Sequence, residues 1–322
     1  MQLDHVAVIG AGAWGTALAQ AAALAGRQVT LVGRDAEVLA DIATNHRNTR
    51  HLGALPLAES IGASAQLPAA DLFVLAVPAQ ASRAALQTHA AGLAGKPVVL
   101  TAKGLETGTH KRQSEVLHET VPDAVGYVLS GPSFATDVAA GRPTAVTLAG
   151  DDAEATSLIA AALAGPSFRP YAADDRLGVE IAGALKNVYA LGCGAVEGAA
   201  LGASARAALI ARAFAELNRI VVRLGGSPHT LAGLAGLGDL TLSCTSPQSR
   251  NYRHGMALAR HEPTAAIGLA EGVATAPVAR ELTAALGIDA PLIEAIILLI
   301  DGSATIDEIV AGLMARPLKR EH

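Results

Sequence analysis

Charge, aromatic rings and cysteine are all scarce in this chain. Charged residues make up 16% of its 322 residues, and the net charge is −5. No basic cluster stands out, which removes the electrostatic basis for binding nucleic acid or a membrane surface. Aromatics contribute only 3%, so a core must be built from Ala, Leu, Val and Ile. The two cysteines, Cys193 and Cys244, lie far apart in apolar surroundings. They give no disulfide framework and read as buried free thiols of a reducing compartment. The 10 histidines show no HxxxH spacing and no pairing with cysteine, so no metal site is expected. Val6 to Gly26 carries no charge, as an export signal or a membrane helix would. However, no basic stretch precedes it, Asp4 stands before it, and glycines, Thr16 and Gln20 interrupt it. A soluble, cytoplasmic protein is the expectation. The hydrophobic content of 51% excludes a disordered chain, and the length suits two domains.

What is present begins at residue 6. A β-branched apolar run, Val6 to Ile9, meets Gly10-x-Gly12-x-x-Gly15, and an alanine-rich segment follows to about Leu24. Strand, glycine turn and helix form an arrangement that holds a pyrophosphate. Gly10 allows the tight turn and Gly12 lets backbone approach the phosphates. Gly15 lets the helix pack close to the strand, and the helix N-terminus supplies N–H donors. Ala13 and Trp14 belong to the same turn. The next strand, Gln28 to Val32, ends in Gly33-Arg34-Asp35 rather than in an acid. An acid there would hold the ribose 2′-hydroxyl of NAD, whereas an arginine can pair with a 2′-phosphate. Arg34 therefore leans the reading to NADP, with NAD still open. A lone arginine there can also be a plain solvated loop residue, and Asp35 stands within reach of a hydroxyl.

Strand-like and helix-like stretches alternate through about residue 150. Strands are expected at Asp71–Pro78, Lys96–Gly104, Val125–Leu129 and Ala145–Ala149, with helices at Glu37–Ala43, Ala81–Ala91 and Ala153–Leu163. Continuous apolar strands between helices imply a doubly wound parallel sheet covered on both faces. From about Gly178 helical spacing takes over, at Val179–Leu191, Ser204–Leu224, Asn251–Ala259, Val273–Leu286 and Ala290–Leu299. The expected organisation is an α/β domain at 1–178 followed by an all-α domain at 179–322.

In such a sheet, ligands lie beyond the carboxyl ends of the strands. Lys103 closes an otherwise apolar strand, and Ser130-Gly131-Pro132-Ser133 closes the next. Val77-Pro78 is more simply a turn. Lys186, with Asn187 beside it, is the one cation of an apolar helix, flanked on one face by Gly183 and Ala190. Such a lysine usually snorkels to water; partly buried, it has a lowered pKa and can exchange a proton near neutrality. Asp239 lies in the glycine-rich Leu234–Leu240 stretch, where an ordinary Asx-turn is the simplest reading. Ser249 reads as a helix cap, and Arg250 beside helix-terminal N–H groups makes an anion site, although taken alone a solvated arginine is the simpler reading.

Together these residues resemble the bacterial NAD(P)-dependent glycerol-3-phosphate dehydrogenases over nearly the whole chain. The matching motifs run from Gly10-Ala-Gly-Ala-Trp-Gly-Thr-Ala-Leu-Ala19 through Lys103-Gly-Leu-Glu106 and Ser130-Gly-Pro-Ser-Phe-Ala135. They continue with Leu185-Lys-Asn-Val188, Gly236-Leu-Gly-Asp-Leu240, Ser249-Arg-Asn-Tyr252 and Ala270-Glu-Gly-Val273. The resemblance implies a Rossmann domain joined to a helical one, working as a homodimer. It also implies interconversion of dihydroxyacetone phosphate and sn-glycerol 3-phosphate for glycerophospholipid synthesis. Lys186 would exchange the proton, with Lys103 and Asp239 near the reacting oxygen. Asn187, Ser249, Arg250 and Asn251 would surround the substrate with Gly131 and Ser133. The cofactor, NADP or NAD, would be lined by Gly10, Gly12, Ala13, Trp14, Gly15, Arg34, Lys103, Gly131, Ser133, Ala135, Arg250 and Glu271. Two departures stand out. Asn48-Thr-Arg50-His51-Leu52-Gly53 replaces the family's Asn-x-Arg-Tyr-Leu-Pro, and no tyrosine accompanies Glu294. A ketopantoate-type reductase would share the fingerprint and a lysine without needing Ser249-Arg250-Asn251. A non-catalytic NADP sensor would have no reason to gather Lys103, Lys186 and Asp239.

Overall fold

A computed structural model of the protein describes residues 3–318. Eight strands form one sheet: β1 (His5–Ile9), β2 (Gln28–Val32), β3 (Ile61–Ser64), β4 (Leu72–Leu75), β5 (Pro97–Leu100), β6 (Val125–Ser130), β7 (Thr144–Ala149) and β8 (Phe168–Ala173). Their order is β3-β2-β1-β4-β5-β6-β7-β8. Interior strands are apolar on both sides because helices cover both faces. Val6 and Val8 enter one core with the Ala13–Leu24 and Ala153–Leu163 helices. Ala7 and Ile9 enter the other with the Ser82–Leu93 and Gln113–Thr120 helices.

The sheet departs from the sequence reading in two respects. All pairings are parallel except β6 with β7, which is antiparallel. A parallel return needs a crossover of roughly a dozen residues or more, usually with a full helix. Residues 131–143 hold only the single helical turn Ala135–Ala139. The chain therefore stays at the carboxyl end of β6 and runs back beside it, which keeps this segment against the Ala13–Leu24 helix. The strands that pattern reading passes over, β3 and β8, are the two edges of the sheet. Edge strands need no continuous apolar run, and β8 carries Arg169 and Pro170.

The second half is built on one long helix, Arg176–Gly198, in which every residue from Gly178 to Val196 is buried. Asp175 caps it by accepting from the Gly178 N–H at 2.8 Å and also holds the Ser227 N–H. Around it pack Ala203–Arg223, Asp239–Thr245, Arg250–Ala259, Glu271–Leu286 and Pro291–Ile300. Val179 of the long helix joins the core under the sheet, so this helix carries contacts of both halves. A short helix, Ile306–Met314, was not expected from the pattern. Among the described residues, no helix is long and apolar enough to cross a membrane.

The Arg250–Ala259 helix lies almost in backbone contact with the long helix. A Cβ on Gly255 would stand 1.9 Å from the Leu191 carbonyl oxygen, and one on Gly194 would stand 1.9 Å from that of Tyr252. Gly255→Ala is therefore expected to push the two helices apart and destabilise the protein by about 1–3 kcal/mol. At roughly 2–4 °C per kcal/mol, calorimetry should show a melting temperature several degrees lower. Gly312→Ala, where a Cβ meets nothing within 4 Å, should leave it unchanged or slightly raised. Equal behaviour of the two variants would contradict the close approach.

Candidate active site

The glycine turn forms as its spacing predicts. Gly10 has φ 119°, and a Cβ there would lie 2.5 Å from the Ala76 carbonyl oxygen just past β4. A Cβ on Gly15 would lie 1.8 Å from the Gly10 carbonyl oxygen, whereas one on Gly12 would meet nothing within 4 Å. The Ala13–Leu24 helix starts there with no side chain capping its first N–H groups. An open face over Gly12 beside uncapped donors fits a dinucleotide pyrophosphate. Trp14 packs half-buried against the sheet core. Ala135 packs on the same core from the segment after β6. Arg34 is exposed immediately beyond β2. At Gly33 a Cβ would come within 2.8 Å of the Ala11 Cβ, so the chain leaves no room for a side chain at the end of this strand.

Lys103, Lys186 and Asp239 converge although they are far apart in sequence. Lys103 follows β5, Lys186 is in the long helix, and Asp239 opens the Asp239–Thr245 helix. Lys103 Nζ donates to Asp239 Oδ2 at 2.7 Å, and Lys186 Nζ donates to Oδ1 at 2.8 Å. The Asp239 side chain is 1% exposed. Its burial alone would raise the carboxyl pKa; the two ammonium groups outweigh that and hold it below the usual range. Burial also pushes the Lys103 ammonium down, with Asp239 opposing and Lys186 adding to the effect. The Asx-turn reading of Asp239 is corrected here: Leu234–Gly238 forms a π-helical turn that runs directly into the helix Asp239 begins.

Further bonds fix both lysines. Lys103 donates to the Gly131 carbonyl at 3.1 Å, and Ser133 Oγ donates to the same oxygen at 2.9 Å. Lys186 donates to Ser243 Oγ at 2.6 Å. Ser243 is a residue that sequence reasoning missed. Its signal was position, one helical turn after Asp239 on the same face. An ammonium has three donors, so each lysine keeps one hydrogen uncommitted among the described residues. The arrangement can present two N–H groups, backed by one carboxylate, to a single oxygen.

The two asparagines form a relay. The Gly272 N–H donates to Asn251 Oδ1, Asn251 Nδ2 to Asn187 Oδ1, and Asn187 Nδ2 to the Lys103 carbonyl, each at 2.9 Å. Ser249 caps the Arg250–Ala259 helix by accepting from the Tyr252 N–H, and its own hydroxyl hydrogen stays available. Arg250, the first residue of that helix, is exposed. Glu271 Oε1 accepts from the Ala79 N–H at 3.1 Å, tying the helical half to the segment after Pro78. Burial raises the Glu271 carboxyl, against the Ala79 bond and the nearby Arg250. Cys193 and Cys244 are free and buried. The neighbouring Cys193 thiol and burial push the Cys244 thiol well up.

A family model of the NAD-dependent glycerol-3-phosphate dehydrogenase N-terminus matches residues 5–156, and that of the C-terminus matches residues 175–311. The chain belongs to the NAD-dependent glycerol-3-phosphate dehydrogenase family. A glycerol-3-phosphate dehydrogenase (NAD(P)+) of a Bradyrhizobium species is 52% identical over 320 residues, covering 98% of each chain. One of Brucella canis is 50% identical over 321 residues, again covering 98% of each. Among solved structures, glycerol-3-phosphate dehydrogenase of Coxiella burnetii superposes with a TM-score of 0.91 at 33% identity, covering 98% of this chain and 99% of that one. The motifs that carried the resemblance are thus those of a glycerol-3-phosphate dehydrogenase fold along its full length.

Asp239→Asn leaves two buried ammonium groups facing each other without a counter-charge. Removing one partner of a buried ion pair costs about 3–5 kcal/mol, and a loss of that size is expected in urea denaturation at pH 7. Asp239 has a depressed folded pKa, so its contribution is fully present above the ordinary value of about 3.9. It disappears as pH falls through the lower folded value. The gap between variant and parent should therefore persist down to mildly acid pH and close only below it. A gap that vanishes near neutrality would contradict a buried, doubly paired carboxylate.

Proposed function

We propose that the chain is an NAD(P)-dependent sn-glycerol-3-phosphate dehydrogenase that reduces dihydroxyacetone phosphate reversibly, with NADP preferred. The observation that carries the reading is the Lys103–Asp239–Lys186 cluster beyond the carboxyl ends of the strands. The nicotinamide supplies the hydride when bound. As the carbonyl carbon is reduced, its oxygen gains negative charge. The uncommitted hydrogens of Lys103 and Lys186 face that oxygen, and Lys186 gives it a proton. Asp239 and Ser243 keep the Lys186 Nζ in place, while Lys103 remains as the second cation. Arg250 and the Ser249 hydroxyl, at a helix start, hold the substrate phosphate. That non-reacting group orients the carbon for reaction. Gly131, Ser133, Asn187 and Asn251 shape the wall around it, the asparagines through their mutual bonds. Gly10 to Gly15 hold the pyrophosphate, Arg34 the 2′-phosphate, and Trp14, Ala135 and Glu271 the rest of the cofactor.

The working division between cofactor and substrate domains is 178/179. A cytoplasmic homodimer that supplies glycerol 3-phosphate for phospholipid synthesis, without nucleic-acid partners, completes the reading. The decisive assay is steady-state oxidation of NADPH and NADH with dihydroxyacetone phosphate, and with ketopantoate as the rival substrate.

Lys186→Ala is expected to lower kcat by roughly 10²–10⁴-fold, the usual value of a positioned acid. Nucleotide binding, followed by the fluorescence of Trp14, should stay close to the parent's. A variant within about threefold of parental turnover, well below that range, would remove Lys186 from the chemistry. Arg250→Ala should cripple turnover of dihydroxyacetone phosphate and scarcely worsen that of dihydroxyacetone, already poor in the parent. An unchanged ratio between the two substrates would place the phosphate clamp elsewhere.

A further inference from the structure

We propose that Arg50, paired with Asp35 next to Arg34, is a second reader of the cofactor 2′-phosphate; this rests on the NADP reading above. The observation is an ion pair between Arg50 and Asp35 Oδ2. Asp35 follows Arg34 directly and is therefore at the end of β2, where the adenosine ribose of a Rossmann cofactor lies. Its Oδ1 already accepts from the N–H groups of Glu37 and Val38 at 3.0 and 3.2 Å, capping the helix that starts at Ala36. With Arg50 on Oδ2, three of the roughly four acceptor positions of the carboxylate are filled. This leaves Asp35 poorly placed to hold a ribose hydroxyl, the alternative that the sequence leaves open. Unneutralised, its charge would oppose a phosphate at Arg34; Arg50 cancels that charge and brings a second guanidinium to the spot.

Arg50 is held there by the loop that carries it. Asn48, 0% exposed, donates through Nδ2 to the Ala11 carbonyl at 3.0 Å and to Thr16 Oγ1 at 2.8 Å. The Thr49 N–H donates to Asp41 Oδ2 at 2.8 Å. The segment is thus anchored to the glycine turn on one side and to the Ala36–Asn45 helix on the other. Arg50, between the two, has a side chain 62% exposed. The pair with Asp35 is made through Nη1 alone, so the remaining N–H groups of the guanidinium can take a phosphate oxygen while Asp35 stays neutralised.

The test is calorimetric binding of 2′,5′-ADP and 5′-ADP to the purified chain, which needs no turnover. The parent should prefer 2′,5′-ADP. Arg50→Ala should weaken 2′,5′-ADP by about tenfold, the low end for a charge-assisted bond because the group is exposed, and leave 5′-ADP within about twofold. Asp35→Asn, whose amide oxygen still caps the helix, should bind 2′,5′-ADP more tightly than the parent. Should Arg50→Ala keep the parental preference while Arg34→Ala abolishes it, Arg50 is no reader and the NADP reading survives. Equal weakening of both nucleotides by Arg50→Ala would mean a disturbed loop and overturn the proposal. Weaker 5′-ADP binding by Asp35→Asn would restore Asp35 as a ribose ligand and overturn it too. A parent without preference sinks the proposal and the NADP reading together.

Discussion

One buried carboxylate makes the rest of this site possible. Two ammonium groups cannot share a desolvated space unless something offsets both their repulsion and their lost hydration. Asp239 does so with one oxygen for each lysine. The elements that meet here are consequently constrained in direction as well as position. The turn after β5 must aim Lys103 inward, and the long helix must present Lys186 on the face that also carries its small residues. The π-helical turn before Asp239 shifts the register at which the following helix begins. Wide, π-helical turns of that kind recur at functional sites because they re-aim one residue without moving the whole helix.

The polar relay extends the same constraint to the second half. Gly272, Asn251, Asn187 and the Lys103 backbone lie on four separate stretches of chain, yet each bond in the series points the same way. Since the chain of donors ends on the carbonyl of Lys103, the strand end that bears this lysine is positioned from the helical half. Glu271 does the same for the segment after β4. The sheet half and the helical half are thus located relative to each other by hydrogen bonds from particular side chains to particular backbone atoms, in addition to apolar packing.

Much of this was legible in the sequence. The glycine turn announced itself through steric demands that only glycine meets, and the interior strands through continuous apolar runs that two-sided burial requires. Lys186 was visible because a cation is conspicuous in an apolar helix. The rest needed three dimensions. Ser243 is a common residue in a common place, and only its contact with Lys186 distinguishes it. Asp239 looked like a turn residue because glycines surround it, but the stretch is a π-helical turn that Gly236 permits: a Cβ there would sit 2.1 Å from the Leu231 carbonyl oxygen. Asn187 and Asn251 stand in separate motifs of the sequence, and their bond to each other has no linear signature. The antiparallel step at β7 followed from the length of a connection rather than from any residue type.

The outer strand β8 has a further consequence. Any sheet edge carries unpaired N–H and C=O groups and is a template on which another chain can add. This strand includes Pro170, which has no N–H to offer, beside the charged Arg169. A neighbouring molecule cannot continue the ladder across that position without leaving a gap in it. The residues that concealed β8 from pattern reading are thus the ones that end the sheet, so that at high concentration its border discourages cross-β assembly instead of seeding it.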